Sequence, residues 1–212
     1  MPVTERENES QVLLQRDQYI KGGLGRRYWD FRDSTVFSLL NQDDRKIIDL
    51  GCGEGVTLQK LVTMFPQSEV TGIDLLDENI NICLNSGLPV RKGDVYGIDL
   101  PNESVDAVLF LEVVEHLENP GLAIEEIHRI LRPGGKLVLI FPNDKVFKLA
   151  RLITLRFKEA FYDPGHLKQW SPNEMWMLLA RVGFAVYYSR PIPFWFWSVS
   201  LHCVLAARKV QR

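Results

Sequence analysis

Lys46-Ile47-Ile48-Asp49-Leu50-Gly51-Cys52-Gly53-Glu54-Gly55 is the stretch that decides the fold. A short apolar strand runs into three glycines at alternate positions. From Val56 a helical pattern follows, with Leu58, Leu61, Val62 and Phe65 on one face. Glycines between a strand and a helix permit positive φ and let a ligand approach the backbone closely. Dinucleotide enzymes use such turns too, so the turn alone defines a kind of site and no particular ligand.

Working outward, strand and helix patterns keep alternating. Strands are expected at 69–73, 89–92, 105–111 and 136–141, the last entered through Pro133-Gly134-Gly135, and helices at 77–86 and 120–131. This order implies parallel strands joined by right-handed crossovers, with both sheet faces covered. In such sheets ligands sit at the carboxyl ends of the strands. The second strand ends in Gly72-Ile73-Asp74, about 20 residues beyond the glycines, where a carboxylate commonly accepts from ribose hydroxyls. A carboxylate capping the next helix is the other reading of Asp74. The third strand runs into Gly93-Asp94-Val95, a carboxylate for an adenine amino group with an apolar side chain for the ring. Three consecutive strand ends of this kind suit an adenosine.

Segments 47–55, 72–74, 93–94, 105–116 and 131–139 resemble, in order, the motifs of class I S-adenosylmethionine-dependent methyltransferases of the type 11 kind. The resemblance implies S-adenosylmethionine as cofactor. It places Asp49, Gly51 and Gly53 beside the methionine part, Asp74 at the ribose, Asp94 at the adenine amino group and Leu111 near the sulfonium. Leu75 and Val95 join the same cofactor-binding set. The implied fold is a Rossmann-like, doubly wound, seven-stranded and mostly parallel sheet with helices on both faces. Its last strand is antiparallel, and 198–207 is the candidate for it. One domain is expected over 1–212: an N-terminal helical cap (1–45), a cofactor-binding core (46–142), a lid insertion (143–170) and a C-terminal helix with strands (171–212). The dinucleotide alternative has less support, because the turn reads GxGxG instead of GxGxxG and no Tyr-x-x-x-Lys pair is present. No GxxxxGK[ST] occurs either, which leaves nucleotide hydrolysis without its phosphate loop.

A sulfonium carries its own leaving group, so the protein's task is to hold a nucleophile in line and, for a protonated acceptor, to take the proton. The candidates follow the fourth strand, in Leu111-Glu112-Val113-Val114-Glu115-His116-Leu117. On a helical turn Glu112, Glu115 and His116 would share one face. His116 and the downstream His166 are the expected catalytic residues, while His128 and His202 read as structural. The Glu-x-x-Glu-His segment also resembles those of ubiquinone-pathway O-methyltransferases and small-RNA 3′-end methyltransferases. That leaves open a divalent metal on Glu112, Glu115, His116 and His166.

The rest of the sequence bounds partners. With 25 basic and 27 acidic residues the formal net charge is −2, which argues against a chain built to coat nucleic acid. Cys52, Cys83 and Cys203 form no CxxC pair, so no disulfide framework or zinc site is expected. The first ten residues hold no apolar run, so no signal peptide is expected, and the apolar stretch 192–207 is too short to span a bilayer. A cytoplasmic protein follows. Val146, Phe147, Ala150, Ile153, Phe157 and Phe161 recur at helical spacing against Lys145, Lys148, Arg151, Arg156 and Lys158. This is a pattern for a lid over an apolar acceptor or for peripheral contact with an anionic membrane through 145–161. Pro191-Ile192-Pro193-Phe194-Trp195-Phe196-Trp197 reads as a loop or edge of packed aromatics. Tyr19, Lys21, Arg26, Arg27, Tyr28 and Trp29 offer contacts to an anionic acceptor. The expected activity is methyl transfer to a small, partly apolar acceptor, with oxygen favoured as the receiving atom. RNA 2′-O-methylation and a non-catalytic cofactor-binding scaffold are the alternatives.

Overall fold

The computed structural model describes residues 14–153 and 165–210. The chain divides into two compact units, the first ending at Asp99 and the second starting at Leu100. Among the described residues three strands belong to the first unit and four to the second.

The first unit holds helices α1 (Leu14–Lys21) and α2 (Gly23–Phe37), then β1 (Lys46–Leu50), α3 (Val56–Met64), β2 (Glu69–Asp74), α4 (Asp77–Asn85) and β3 (Val90–Lys92). The three strands are parallel, with Leu50 opposite Ile73 and Asp74 opposite Lys92. Their carboxyl ends therefore reach one edge together. Ile47, Ile48 and Leu50 are fully buried, as a strand covered on both faces requires. Asp49, also buried, is the exception within it. The ladder continues past the strand end, where Gly51 and Cys52 both donate to the Ile73 carbonyl, at 2.7 and 3.1 Å. Gly72 must be a glycine, because a Cβ there would meet Leu58 Cδ2 at 2.6 Å and Cys52 Sγ at 2.8 Å.

The aromatic and basic residues of the N-terminal helices engage one another. Tyr19 stacks on Trp29 at 5.9 Å, and Arg26 and Lys60 lie over the Tyr19 ring. Lys60 joins Asp30 and Asp33, at 2.8 and 2.7 Å.

The second unit holds β4 (Val105–Leu111), a 3-10 turn (Val114–His116), α5 (Pro120–Ile130), β5 (Leu131–Pro142), α6 (Asp144–Ile153), α7 (Pro172–Val182), β6 (Phe184–Ile192), a second 3-10 turn (Trp197–Val199) and β7 (His202–Lys209). β4 and β5 are parallel, and β7 is antiparallel to both β5 and β6, so the reversed last strand is present. It starts at His202, later than expected, because 197–199 forms a turn. Pro191 lies inside β6, which occupies the sheet edge, where a missing N–H can be tolerated. α7 opens with a capping box, Ser171 to Glu174, on Pro172 at its first position, and stops at left-handed Gly183. Among the described residues no helix is long and apolar enough to cross a membrane.

Two local expectations are corrected. Residues 112–116 do not form one helical face: Glu112 has φ 56°, and only Val114–His116 make a 3-10 turn. β5 also begins at Leu131, because the register jumps from Val105 opposite Leu131 to Ala107 opposite Lys136, making a bulge of the Pro-Gly-Gly segment. The expected lid helix starts as α6, with Lys145 and Leu149 exposed; Arg156, Phe157, Lys158 and Phe161 lie outside the described residues.

The bulge yields a stability prediction. A Cβ on Gly135 would fall 2.8 Å from the Arg132 carbonyl oxygen and 3.2 Å from that of Asp106, and backbone oxygens cannot swing aside. Gly135→Ala is expected to destabilise by about 1–3 kcal/mol. A thermal melt should fall by roughly 2–4 °C per kcal/mol for a chain of this size; an unchanged Tm would contradict the packing described.

Candidate active site

In the first unit the glycine turn has a fixed backbone shape. Gly51, Gly53 and Gly55 have φ of 77°, 54° and 78°, conformations that residues with a Cβ rarely adopt. A Cβ on Gly53 would meet nothing within 4 Å, so open space adjoins the turn on that side. The turn is held from β2. Gly53 N–H donates to Asp74 Oδ2 at 2.8 Å, while Leu76 N–H and the Asn79 amide donate to Oδ1, each at 3.0 Å. With three donors already on it, the carboxylate is fixed in place and keeps acceptor capacity for a hydroxyl. From α1, the Arg16 backbone N–H donates to Glu54 Oε2 at 2.9 Å, closing the N-terminal segment onto the turn.

Asp49 lies in the strand behind these glycines, and its Oδ2 is buried without a partner. Burial pushes its carboxyl up to about 7, with the charges of Asp33 and Asp74 adding to the effect and Arg32 opposing it. Asp33 is itself held by Arg32 at 2.9 Å and Lys60 at 2.7 Å. A buried carboxyl with an oxygen that no group in the protein satisfies, and with Asp33 and Asp74 nearby, suits a cationic ligand. S-adenosylmethionine carries both an ammonium and a sulfonium, so the donor set fits it. Leu75, more than half exposed beside Asp74, offers apolar surface at the same strand end. Asp94 and Val95 follow β3; Asp94 is exposed and accepts from Tyr96 N–H at 3.0 Å, which leaves its other oxygen for a ligand amine.

In the second unit, Leu111 ends β4, half-buried, and the acid–base candidates follow it. His116 and His166 meet edge to face at 4.8 Å between ring centroids. His116 Nδ1 lies 3.3 Å from the Gly165 carbonyl oxygen, and His166 Nδ1 lies 2.8 Å from Asp144 Oδ1. A carbonyl and a carboxylate only accept, so Nδ1 carries a proton in both rings, and in the neutral form of either ring the free lone pair is on Nε2. Burial lowers the His116 pKa, and His166 beside it lowers it further, so the ring is neutral near pH 7. Glu115 is buried, with Oε2 unpartnered, and burial raises its carboxyl well above the ordinary range, with Glu112 adding to the effect. Its backbone carbonyl accepts from Leu167 and Lys168, which anchors the segment that carries His166.

Glu115, His116 and His166 place one ligand atom each within 4.8 Å of one another. Bonds of about 2.1 Å to a shared ion allow a separation of at most about 4.2 Å, so the three would have to draw in slightly. Glu112, the fourth member of the expected quartet, is not among them; its Oε2 lies 3.4 Å from His202 Nε2. His128 packs edge to face on Phe184 and His202 on Phe147, as structural histidines do.

Sequence reasoning missed Asp144, Arg32 and Asp33. Asp144 had a signal, since it lies just past the carboxyl end of β5, where ligand-site residues gather. Nothing local marks Arg32 and Asp33, whose importance comes from long-range proximity to Asp49.

An open α/β sheet, an anionic glycine turn and histidines at a further strand end together define a class of cofactor-dependent group-transfer proteins. A family model described as a methyltransferase domain matches residues 48–139. A ubiquinone biosynthesis O-methyltransferase of Xanthomonas oryzae pv. oryzae is 30% identical over 71% of this chain and 75% of its own length. A Mycolicibacterium smegmatis protein named as an S-adenosylmethionine-dependent methyltransferase is 29% identical over 84% of this chain and 67% of its own. Against relatives of that name in Mycobacterium tuberculosis, the chain spans 56% of their length. The crystal structure of a Methanosarcina mazei S-adenosylmethionine-dependent methyltransferase superposes with a TM-score of 0.65 at 22% identity, covering 84% of this chain and 98% of that one. The chain belongs to the class I S-adenosylmethionine-dependent methyltransferases, and its cofactor and enzyme class follow from that membership.

The state of Asp49 predicts how cofactor affinity depends on pH. A cationic ligand binds the ionised carboxylate, and the free site holds its proton up to about pH 7. Binding must release that proton below pH 7 and need not above it. Affinity for S-adenosylmethionine should be flat above pH 7 and weaken by up to about tenfold per unit as pH falls from 7 to 5.5. The ligand's own ammonium stays largely protonated throughout that window. Calorimetric titration across it checks this, and an Asp49→Asn variant should lose the dependence. A wild-type affinity independent of pH would contradict it.

Proposed function

We propose that the protein transfers a methyl group from S-adenosylmethionine to an oxygen of a small, partly apolar acceptor. The observation that carries this reading is the pair His116 and His166, each with Nδ1 tied down and Nε2 left as a base. When bound, the cofactor supplies an electrophilic methyl group on a leaving thioether. The chain then has to position the acceptor and take its proton. His116 suits a neutral, fixed base, and His166 is oriented by Asp144 so that the same ring nitrogen faces away from its anchor. Burial raises the Glu115 carboxyl well above the ordinary range, which disfavours a competing negative charge beside the two rings. The name of the Xanthomonas relative, a ubiquinone biosynthesis O-methyltransferase, supports an oxygen acceptor.

The same proposal includes a cytoplasmic protein that touches anionic membrane at its periphery through 145–161, where Lys145 and Leu149 are exposed. Metal-assisted methylation, including RNA 2′-O-methylation, is a second reading favoured by the clustering of Glu115, His116 and His166. It lacks the fourth ligand that the motif suggested, because Glu112 pairs with His202.

The test is a panel of phenols, catechols, amines and short RNA assayed with methyl-labelled cofactor, with and without Mg²⁺. Turnover is expected on hydroxylated aromatics without Mg²⁺. His116→Ala and His166→Ala should each lower kcat by about 10²–10⁴-fold and leave cofactor affinity within about twofold. Turnover confined to amines, or variants with undiminished kcat, would overturn the reading; a strict Mg²⁺ requirement would favour the metal alternative.

A further inference from the structure

Two thiols meet beneath the glycine turn. Cys52 is the central residue of Gly51-Cys52-Gly53 and is half-buried, whereas Cys83, on α4, is fully buried. Their sulfurs converge on one atom: Cys52 Sγ lies 3.9 Å and Cys83 Sγ 3.4 Å from the carbonyl oxygen of Gly53. The sulfurs also occupy the space that two nearby glycines leave open. A Cβ on Gly72 would come within 2.8 Å of Cys52 Sγ, and one on Gly55 within 2.7 Å of Cys83 Sγ. The third cysteine, Cys203, lies elsewhere, buried in β7.

The contact also sorts the two thiols chemically. The neighbouring Cys52 thiol lowers the Cys83 pKa, and the Cys83 sulfur together with burial raises that of Cys52. One member therefore has access to solvent and the other has nucleophilic character.

We propose that Cys52 and Cys83 form a redox-sensitive pair that closes to a disulfide under a hydroperoxide and thereby shuts the cofactor turn. In the first step one sulfur of the pair attacks the peroxide, the O–O bond breaks and that cysteine becomes a sulfenic acid, with release of water or an alcohol. In the second, the other sulfur attacks the sulfenic sulfur, the S–S bond forms and the sulfenic oxygen leaves as water. The balance is two thiols and one hydroperoxide giving one disulfide, one water and one alcohol, or two waters from hydrogen peroxide. An S–S bond of about 2.05 Å draws in two sulfurs that now flank the Gly53 carbonyl. The N–H of that same Gly53 holds the turn to Asp74 at 2.8 Å, so the turn cannot keep its shape. This inference rests on the cofactor binding at the turn.

The test uses the full chain treated with hydrogen peroxide. Peptide mapping without reduction should show the Cys52 peptide linked to that of Cys83. Titration with S-adenosylmethionine should show affinity at least tenfold weaker, restored by dithiothreitol. Cys83→Ala, or Cys83→Ser where alanine packs poorly, should give no linked peptide and keep its affinity under peroxide, while Cys203→Ala should respond as the wild type does. Absence of the linked peptide, a linked protein that binds normally, or an equal affinity loss in the Cys83 variants would overturn the proposal. A reduced, folded protein that binds no cofactor would overturn the cofactor site instead; the linked peptide would still report on the thiol pair.

Discussion

The hydrogen bond from Gly53 N–H to Asp74 Oδ2, 2.8 Å long, ties the end of β1 to the end of β2. Its donor sits in a backbone conformation that a Cβ disfavours, and its acceptor is fixed by two further donors from Leu76 and Asn79. The parallel register delivers the two strand ends to one edge, and Gly51 and Cys52 extend the ladder onto Ile73. A loop held in this way needs no ligand to define it, so a cofactor binding there meets a surface already formed and loses little to ordering. Asp74 therefore shapes the turn, and a substitution there would be felt by any ligand the turn holds.

Asp49 is buried in a strand whose neighbours are aliphatic, with an unpartnered oxygen and acidic residues nearby. An isolated folded domain gains nothing from this arrangement, since an unpaired buried carboxylate is destabilising. A bound ligand bearing an ammonium and a sulfonium would relieve it. In the second unit the two histidines are held alike: Gly165 and Asp144 each accept from an Nδ1, so both rings turn the same nitrogen, Nε2, away from the anchor.

The framework was legible because it is encoded locally. Apolar runs such as 47–50 and 105–111 declare strands buried on both faces, and the glycines after Leu50 declare a turn that only a close approach requires. The reversed last strand came from family resemblance, and its late start at His202 from a turn that the run of aromatics disguised. What stayed hidden depends on distant partners or on unusual backbone. Glu112 looks like a helix residue in the sequence, yet its left-handed φ breaks the turn and sends the carboxylate to His202. The bulge at 131–135 depends on how Val105 and Ala107 register with the neighbouring strand. Asp144 serves His166 from 22 residues away, and Cys52 meets Cys83 across a helix and a strand. No local spacing rule reports such pairs.

The most direct test of the account is calorimetric titration of the protein with S-adenosylmethionine at pH 8, beside an Asp74→Ala variant. The account predicts one site per chain with affinity near micromolar, about −8 kcal/mol, lost in the variant. A well-folded wild-type protein that takes up no cofactor, or a variant that binds as tightly as the wild type, would contradict it.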